Sequence, residues 1–76
     1  LLLAEVAFSP EWIGTAANSV TRGTGARVAF ITRYGQAMLT DEGTILQDGD
    51  LLHVLCHPED KATLVAMAEQ GPEAQS

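Results

Sequence analysis

A two-layer α+β domain with the element order β-α-β-β-β-α is predicted by three features of the sequence. Several short segments carry period-two or β-branched apolar patterns, two segments open on helix-start signals with proline in the first turn, and glycine-bearing turns separate the elements. Closely spaced strands joined by tight turns make most of the sheet antiparallel, with both helices packed against it.

Leu1 to Phe8 reads as the first strand, with Leu2, Ala4, Val6 and Phe8 on one face and Glu5 on the other. Leu1 and Leu3 make the second face apolar at its start, as suits a strand covered from both sides by another domain or another copy. Ser9-Pro10-Glu11 is a helix-start signature: the serine oxygen can accept an orphan amide, proline fits the first turn, and the acid favours the positive end of the dipole. The predicted helix carries Trp12, Ile13, Ala16, Ala17 and Val20 as one apolar stripe, with Gly14 inside it, and Gly23-Thr24-Gly25 ends it.

Ala26 to Arg33, with Val28, Phe30, Ile31 and Thr32, is the clearest strand and is placed centrally. Tyr34-Gly35 makes a tight turn, and Gln36 to Thr40 returns antiparallel. Asp41 to Thr44 forms a loop, Ile45 and Leu46 serve as buried anchors, Asp48-Gly49-Asp50 turns the chain, and Leu51 to Cys56 is the last strand. His57-Pro58-Glu59-Asp60 opens the final helix, whose inward stripe is Lys61, Leu64, Val65 and Ala68, and Gly71-Pro72 stops it. Residues 1–70 thus form one domain, followed by a flexible polar tail over 71–76.

A chain of 76 residues holds a single core and buries only about 60–65% of its unfolded surface. Its 46% hydrophobic content exceeds what so small a core uses, which assigns part of that surface to a partner. Beginning mid-strand without methionine, the sequence reads as an excised C-terminal module. The net charge of −6, with Arg22, Arg27, Arg33 and Lys61 as the only cationic residues, argues against binding nucleic acid or an anionic membrane surface. No apolar run approaches the roughly 18–20 residues that span a bilayer. A lone cysteine, Cys56, suits a reducing compartment, and the expected location is cytoplasmic.

No set of residues assembles a catalytic centre, so the expected mode of action is binding, not catalysis. His53, Cys56 and His57 include metal-ligand and nucleophile types, but on a strand His53 and Cys56 face opposite sides and a fourth ligand is lacking. Asp41, Glu42, Asp48 and Asp50 are oxygen ligands in type, yet each cluster holds the glycine that a simple turn needs. Gly23-Thr24-Gly25 follows a helix where a phosphate loop would open one, although Arg22 and Arg27 beside it could hold an anion. Trp12, Ile13, Ala16 and Val20 are candidates for a dimer seam or, equally, for core.

Four stretches carry a family resemblance: Ala4-Glu5-Val6, Ser9 to Gly14 (SPEWIG), Gly25 to Gly35 (GARVAFITRYG) and Thr44 to Val54 (TILQDGDLLHV), the last being the most specific. From Leu1 to about Ala68 the chain resembles the TrkA-C (RCK-C) family, the C-terminal domain of TrkA/KtrA-type regulatory subunits of bacterial potassium uptake. The resemblance implies a cytoplasmic homodimerising module that follows an N-terminal Rossmann-type domain and helps control a membrane potassium transporter. It implies no enzyme activity and no cofactor in this fragment, with NAD or ATP belonging to the N-terminal domain. Some relatives bind cyclic di-AMP across the dimer axis, which places candidate effector contacts at Thr21, Arg22, Ala26, Arg27 and Thr40. Here the pattern departs: Thr21 stands where those binders carry arginine, Arg27 near their asparagine and Thr40 at their proline, so Arg22 and Arg27 would have to substitute. The alternative is a purely structural dimerisation module that binds no ligand.

Overall fold

The structure, a computed structural model, describes residues 1–71. Its centre is one antiparallel sheet of four strands, β1 (Leu2–Val6), β2 (Arg27–Arg33), β3 (Gln36–Leu39) and β4 (Leu51–Cys56), in the spatial order β1-β4-β2-β3. The expected α+β class and antiparallel pairing are therefore present, and β4 has its predicted ends. A single α-helix, α1 (Lys61–Gln70), follows a 3-10 turn at Pro58–Asp60 and packs across one face of the sheet.

Period-two register decides which residues form the core. β1 pairs with β4 so that Leu2, Ala4 and Val6 lie opposite Cys56, Val54 and Leu52, all on the inner face. On β2 the alternation does not run through: Val28 pairs with Val54, yet Ile31, three residues later, pairs with Leu52 on the same face. A bulge between Val28 and Phe30 makes this possible, because the extra residue Ala29 resets the phase and turns Ile31 inward. Tyr34 and Gly35 both have positive φ, 52° and 80°, the conformation of the primed two-residue turn that suits strand twist in a hairpin.

The segment between β1 and β2 corrects the expected first helix. It forms two short 3-10 turns, Pro10–Trp12 and Ala17–Thr21. Gly14 between them adopts φ +89°, and Ala16 is extended and forms an isolated bridge with Ile45. Hydrogen bonds from Gly14 N–H to Leu46 O, Leu46 N–H to Thr15 O and Ala17 N–H to Thr44 O fasten the two segments together. Tertiary pairing thus offers the backbone better partners than a helix could, and the apolar stripe still reaches the core as Trp12, Ala17 and Val20. Leu46 is buried as expected, but Ile45, one residue before it on the bridged segment, points outward. Ser9 does not cap with its side chain: its carbonyl accepts from Trp12 N–H, and its hydroxyl, buried, has no partner among the described residues.

Trp12 joins this segment to the helix. Its ring is buried with Leu64 and Ala68 of α1 and with Val6 and Val54 of the sheet. Its indole N–H donates 3.0 Å to Ala68 O, which also accepts from Ser9 N–H at 2.8 Å. Carbonyls in the last turn of a helix run out of intrahelical donors, so these two bonds satisfy an otherwise orphaned acceptor.

Arg33 and Asp50 tie the strand ends to the loop before β4. Arg33 donates through Nε and Nη2 to the two Asp50 oxygens, each at 2.8 Å, and through Nη2 to Ile45 O at 3.1 Å. The Asp50 side chain is fully buried and accepts a further bond, 2.9 Å, from Gln47 N–H. The bidentate bond from Arg33 is the chief reason why the carboxyl pKa of Asp50 lies below the usual value, against the opposing cost of burial. The same bond raises Arg33, which stays charged throughout.

Replacing Trp12 by Phe should lower unfolding stability by about 1–2 kcal/mol, one hydrogen bond plus imperfect filling of the site. Urea denaturation followed by circular dichroism measures this, and a loss below about 0.3 kcal/mol would show that the indole bond does not hold the helix. A depressed carboxylate stabilises the fold fully above the unfolded aspartate pKa of about 3.9 and loses that contribution as pH falls through the folded value. Wild type should therefore exceed Asp50→Asn in melting temperature by roughly 10 °C near pH 7, with the gap closing below about pH 4. A gap that persists unchanged at pH 2 would assign the effect of Asp50 to shape instead of charge.

Candidate functional site

The helix and the 3-10 turns lie against the inner face of the sheet, and the strands' other side chains form an outer face that no element covers among the described residues. Strand register arranges this face in rows. Leu3, Leu55 and Arg27 form one, Glu5, His53, Phe30 and Leu39 the next, and Leu51, Thr32 and Ala37 a third. Leu3 is 52% exposed, Leu55 42% and Leu39 87%, an unusual concentration of apolar surface on one side of so small a domain.

The middle of the face is rigidly built. Phe30 stacks on the His53 imidazole, ring centroids 4.2 Å apart and planes 13° from parallel, and His53 Nε2 lies 2.7 Å from Thr32 Oγ1. These contacts fix the position of His53 and account for its burial under the phenyl ring. Cys56 is a free thiol buried on the opposite face beside Leu2, and His57 is exposed beyond the strand, so the three do not converge.

Of the candidate carboxylates, Asp41 acts within its own turn and Asp50 in the ion pair, while Glu42 and Asp48 are exposed. Asp41 Oδ1 accepts from Gly43 N–H at 2.8 Å and from Thr44 Oγ1 at 3.2 Å, closing the loop after β3. Asp50 is committed to Arg33, a pairing that the sequence reading did not single out. Its signal was there: opposite charges stand at the end of β2 and the start of β4, two strands expected to lie in one sheet.

The candidate effector residues gather at one end of the sheet, around the entry to β2 and the exit from β3. Arg22 and Arg27 are exposed and form no ion pair among the described residues. Thr40 is partly buried after β3, and the neighbouring Asp41 O accepts a long bond, 3.5 Å, from the Asn18 side chain, which brings this exit to the second 3-10 turn. Thr21 and Ala26 are buried, and the Thr21 hydroxyl donates to Asn18 O at 3.2 Å. Of the seam candidates, Trp12 and Val20 are consumed by the chain's own core, Ala16 is partly covered, and Ile13 remains on the surface. Trp12 and Val20 thus take the second of their two expected places, the chain's own core.

The sequence model of the TrkA-C domain matches residues 1–68. Among curated proteins, the Trk system potassium uptake protein TrkA of Streptomyces coelicolor is 41% identical over 73 residues, covering 96% of this chain. The chain spans 33% of that relative's length. No solved structure matches, and no helix among the described residues is long and apolar enough to cross a membrane. With a family match over nearly all of its described length and a relative this similar, the chain belongs to the TrkA-C domain family.

Proposed function

We propose that this chain is the regulatory, ligand-sensing and dimerising domain of a subunit that controls bacterial potassium uptake, acting by binding and not by catalysis. The observation that carries the proposal is its 41% identity to a potassium uptake protein. In this reading the domain follows an N-terminal Rossmann-type domain that binds NAD or ATP. The subunit is cytoplasmic and held at the inner membrane by its transporter partner.

Arg22 and Arg27 supply the chemistry for an anionic effector such as cyclic di-AMP. They are exposed guanidiniums on one short segment in a chain of net charge −6, and Arg33, the remaining arginine, is already paired. An effector bound where two copies meet regulates only through its differential affinity for two dimer arrangements; equal affinity for both would shift nothing. The burial of Thr21 and Ala26 favours a second reading, a structural dimerisation module without a ligand, because two of the five implied contacts are inaccessible in this conformation.

Isothermal calorimetry with cyclic di-AMP separates the two. The sensor reading expects measurable binding that weakens roughly tenfold or more in Arg22→Ala or Arg27→Ala, the loss of a charge-assisted hydrogen bond. Sedimentation velocity on the same samples should show a dimer whose population or shape changes with the nucleotide. A dimer that gives no heat with the nucleotide sinks that effector and leaves the structural module.

A further inference from the structure

We propose that the free edge of β3 takes up an extended segment of a partner protein as a fifth strand, one that runs antiparallel to β3 and carries a basic residue just ahead of alternating apolar residues. β3 stands at the end of the strand order, so one of its sides has no neighbouring strand. The primed two-residue turn closes the hairpin on a hydrogen-bonded pair, Arg33 with Gln36, and bonded and non-bonded pairs alternate from there. Ile31 and Met38 therefore exchange bonds, while the N–H and C=O groups of Ala37 and Leu39 point away from β2 and have no partner among the described residues. Two donors and two acceptors, spaced about 7 Å apart along the strand, are what another extended backbone recognises.

Edges that stay unpaired are usually blunted by a charge, a proline, a bulge or a covering element. The other edge strand, β1, carries Glu5, whereas Gln36–Leu39 is uncharged and exposed at all four residues, and the sheet's bulge lies on the far side of β2. Large apolar side chains also collect on this hairpin: Leu39 is 87% exposed, Tyr34 at its tip 86% and Met38 39%.

Charge selects the occupant. Just beyond Leu39 the chain runs into Asp41 and Glu42, and Glu42 is exposed with no ion-pair partner among the described residues. An antiparallel strand begins beside the end of β3, so a lysine or arginine ahead of its first paired residue meets that carboxylate. The residues opposite Leu39 and Ala37 then lie on the outer face of the sheet, where apolar side chains cover Leu39. The chain's net charge of −6 favours the approach of such a basic-ended segment. A second copy's β3 lacks the matching residue, because the cation ahead of Gln36 is Arg33, already committed to Asp50.

The test is amide hydrogen exchange, read by NMR on the isotope-labelled chain, with the capped synthetic peptide Lys-Val-Thr-Val-Thr as probe. Exchange at Ala37 and Leu39 should slow about tenfold at saturating peptide while Met38 stays unchanged. Moving the lysine to the other end of the peptide, or Glu42→Lys in the chain, should each weaken binding about threefold. Leu39→Pro removes an outward N–H and no hairpin bond, and should abolish binding with the circular dichroism spectrum retained; if that variant does not fold, Glu42→Lys probes the same edge from the loop. Unchanged exchange at Ala37 and Leu39 at millimolar peptide overturns the proposal, as does binding indifferent to Glu42→Lys and to the position of the lysine. Slowing of these amides with chain concentration alone, without peptide, would assign the edge to a second copy and overturn the choice of occupant.

Discussion

The bidentate pair between Arg33 and Asp50 holds the parts of this domain that the sheet cannot hold by itself. Asp50 closes the turn after Gln47 through its side chain, and Arg33, by reaching Ile45 O as well, positions the strand-like segment that precedes that turn. That segment in turn accepts backbone bonds from Gly14 and Ala17, donates one to Thr15, and so fixes the 3-10 region. Trp12 is delivered to the helix from there. Removing the buried Asp50 carboxylate leaves the Gln47 amide without its acceptor and releases Arg33 from its pair, so the constraint propagates from β2 through two loops to α1.

This hierarchy gives a physical meaning to the most specific stretch of the sequence, Thr44 to Val54. Each part has a partner elsewhere: Thr44 O and Leu46 bond to the 3-10 region, Asp50 to Arg33, Leu52 and Val54 to the core, and His53 to Phe30 and Thr32. A segment that touches every layer of a small fold tolerates little variation, whether or not it contacts a ligand. Family resemblance concentrated in such a segment reports architecture first. The two exposed arginines, Arg22 and Arg27, lie outside it, near the entry to β2.

Most strands were legible because period-two alternation survives in them; β4 and the Tyr34-Gly35 hairpin follow from residue order alone. The first helix was misread because its start signal and apolar stripe are real, while the bridge from Ala16 to Ile45 that overrides them joins residues far apart in sequence. The bulge at Ala29 escaped for a related reason: VAFI contains apolar residues at both phases, and only the partner strand selects which faces inward. That same ambiguity concealed the outer face, since only the register places Phe30 beside His53. Trp12 illustrates the converse, a residue whose size invited an interfacial reading but whose indole had a buried acceptor waiting on α1.

The strand order also bears on how the domain comes to be folded. Leu2 finds its partner in Cys56, near the opposite end of the described chain, whereas β2 and β3 meet across a two-residue turn. The hairpin can zip on the microsecond scale as soon as it exists, but the first strand must wait, because closing a loop of roughly fifty residues gains its contacts only after the entropy has been lost. During synthesis the first strand therefore leaves the ribosome long before its partner does. Over that interval Leu1, Leu2 and Leu3 are bare apolar sequence, the part of the chain with most need of a chaperone or of a neighbouring chain.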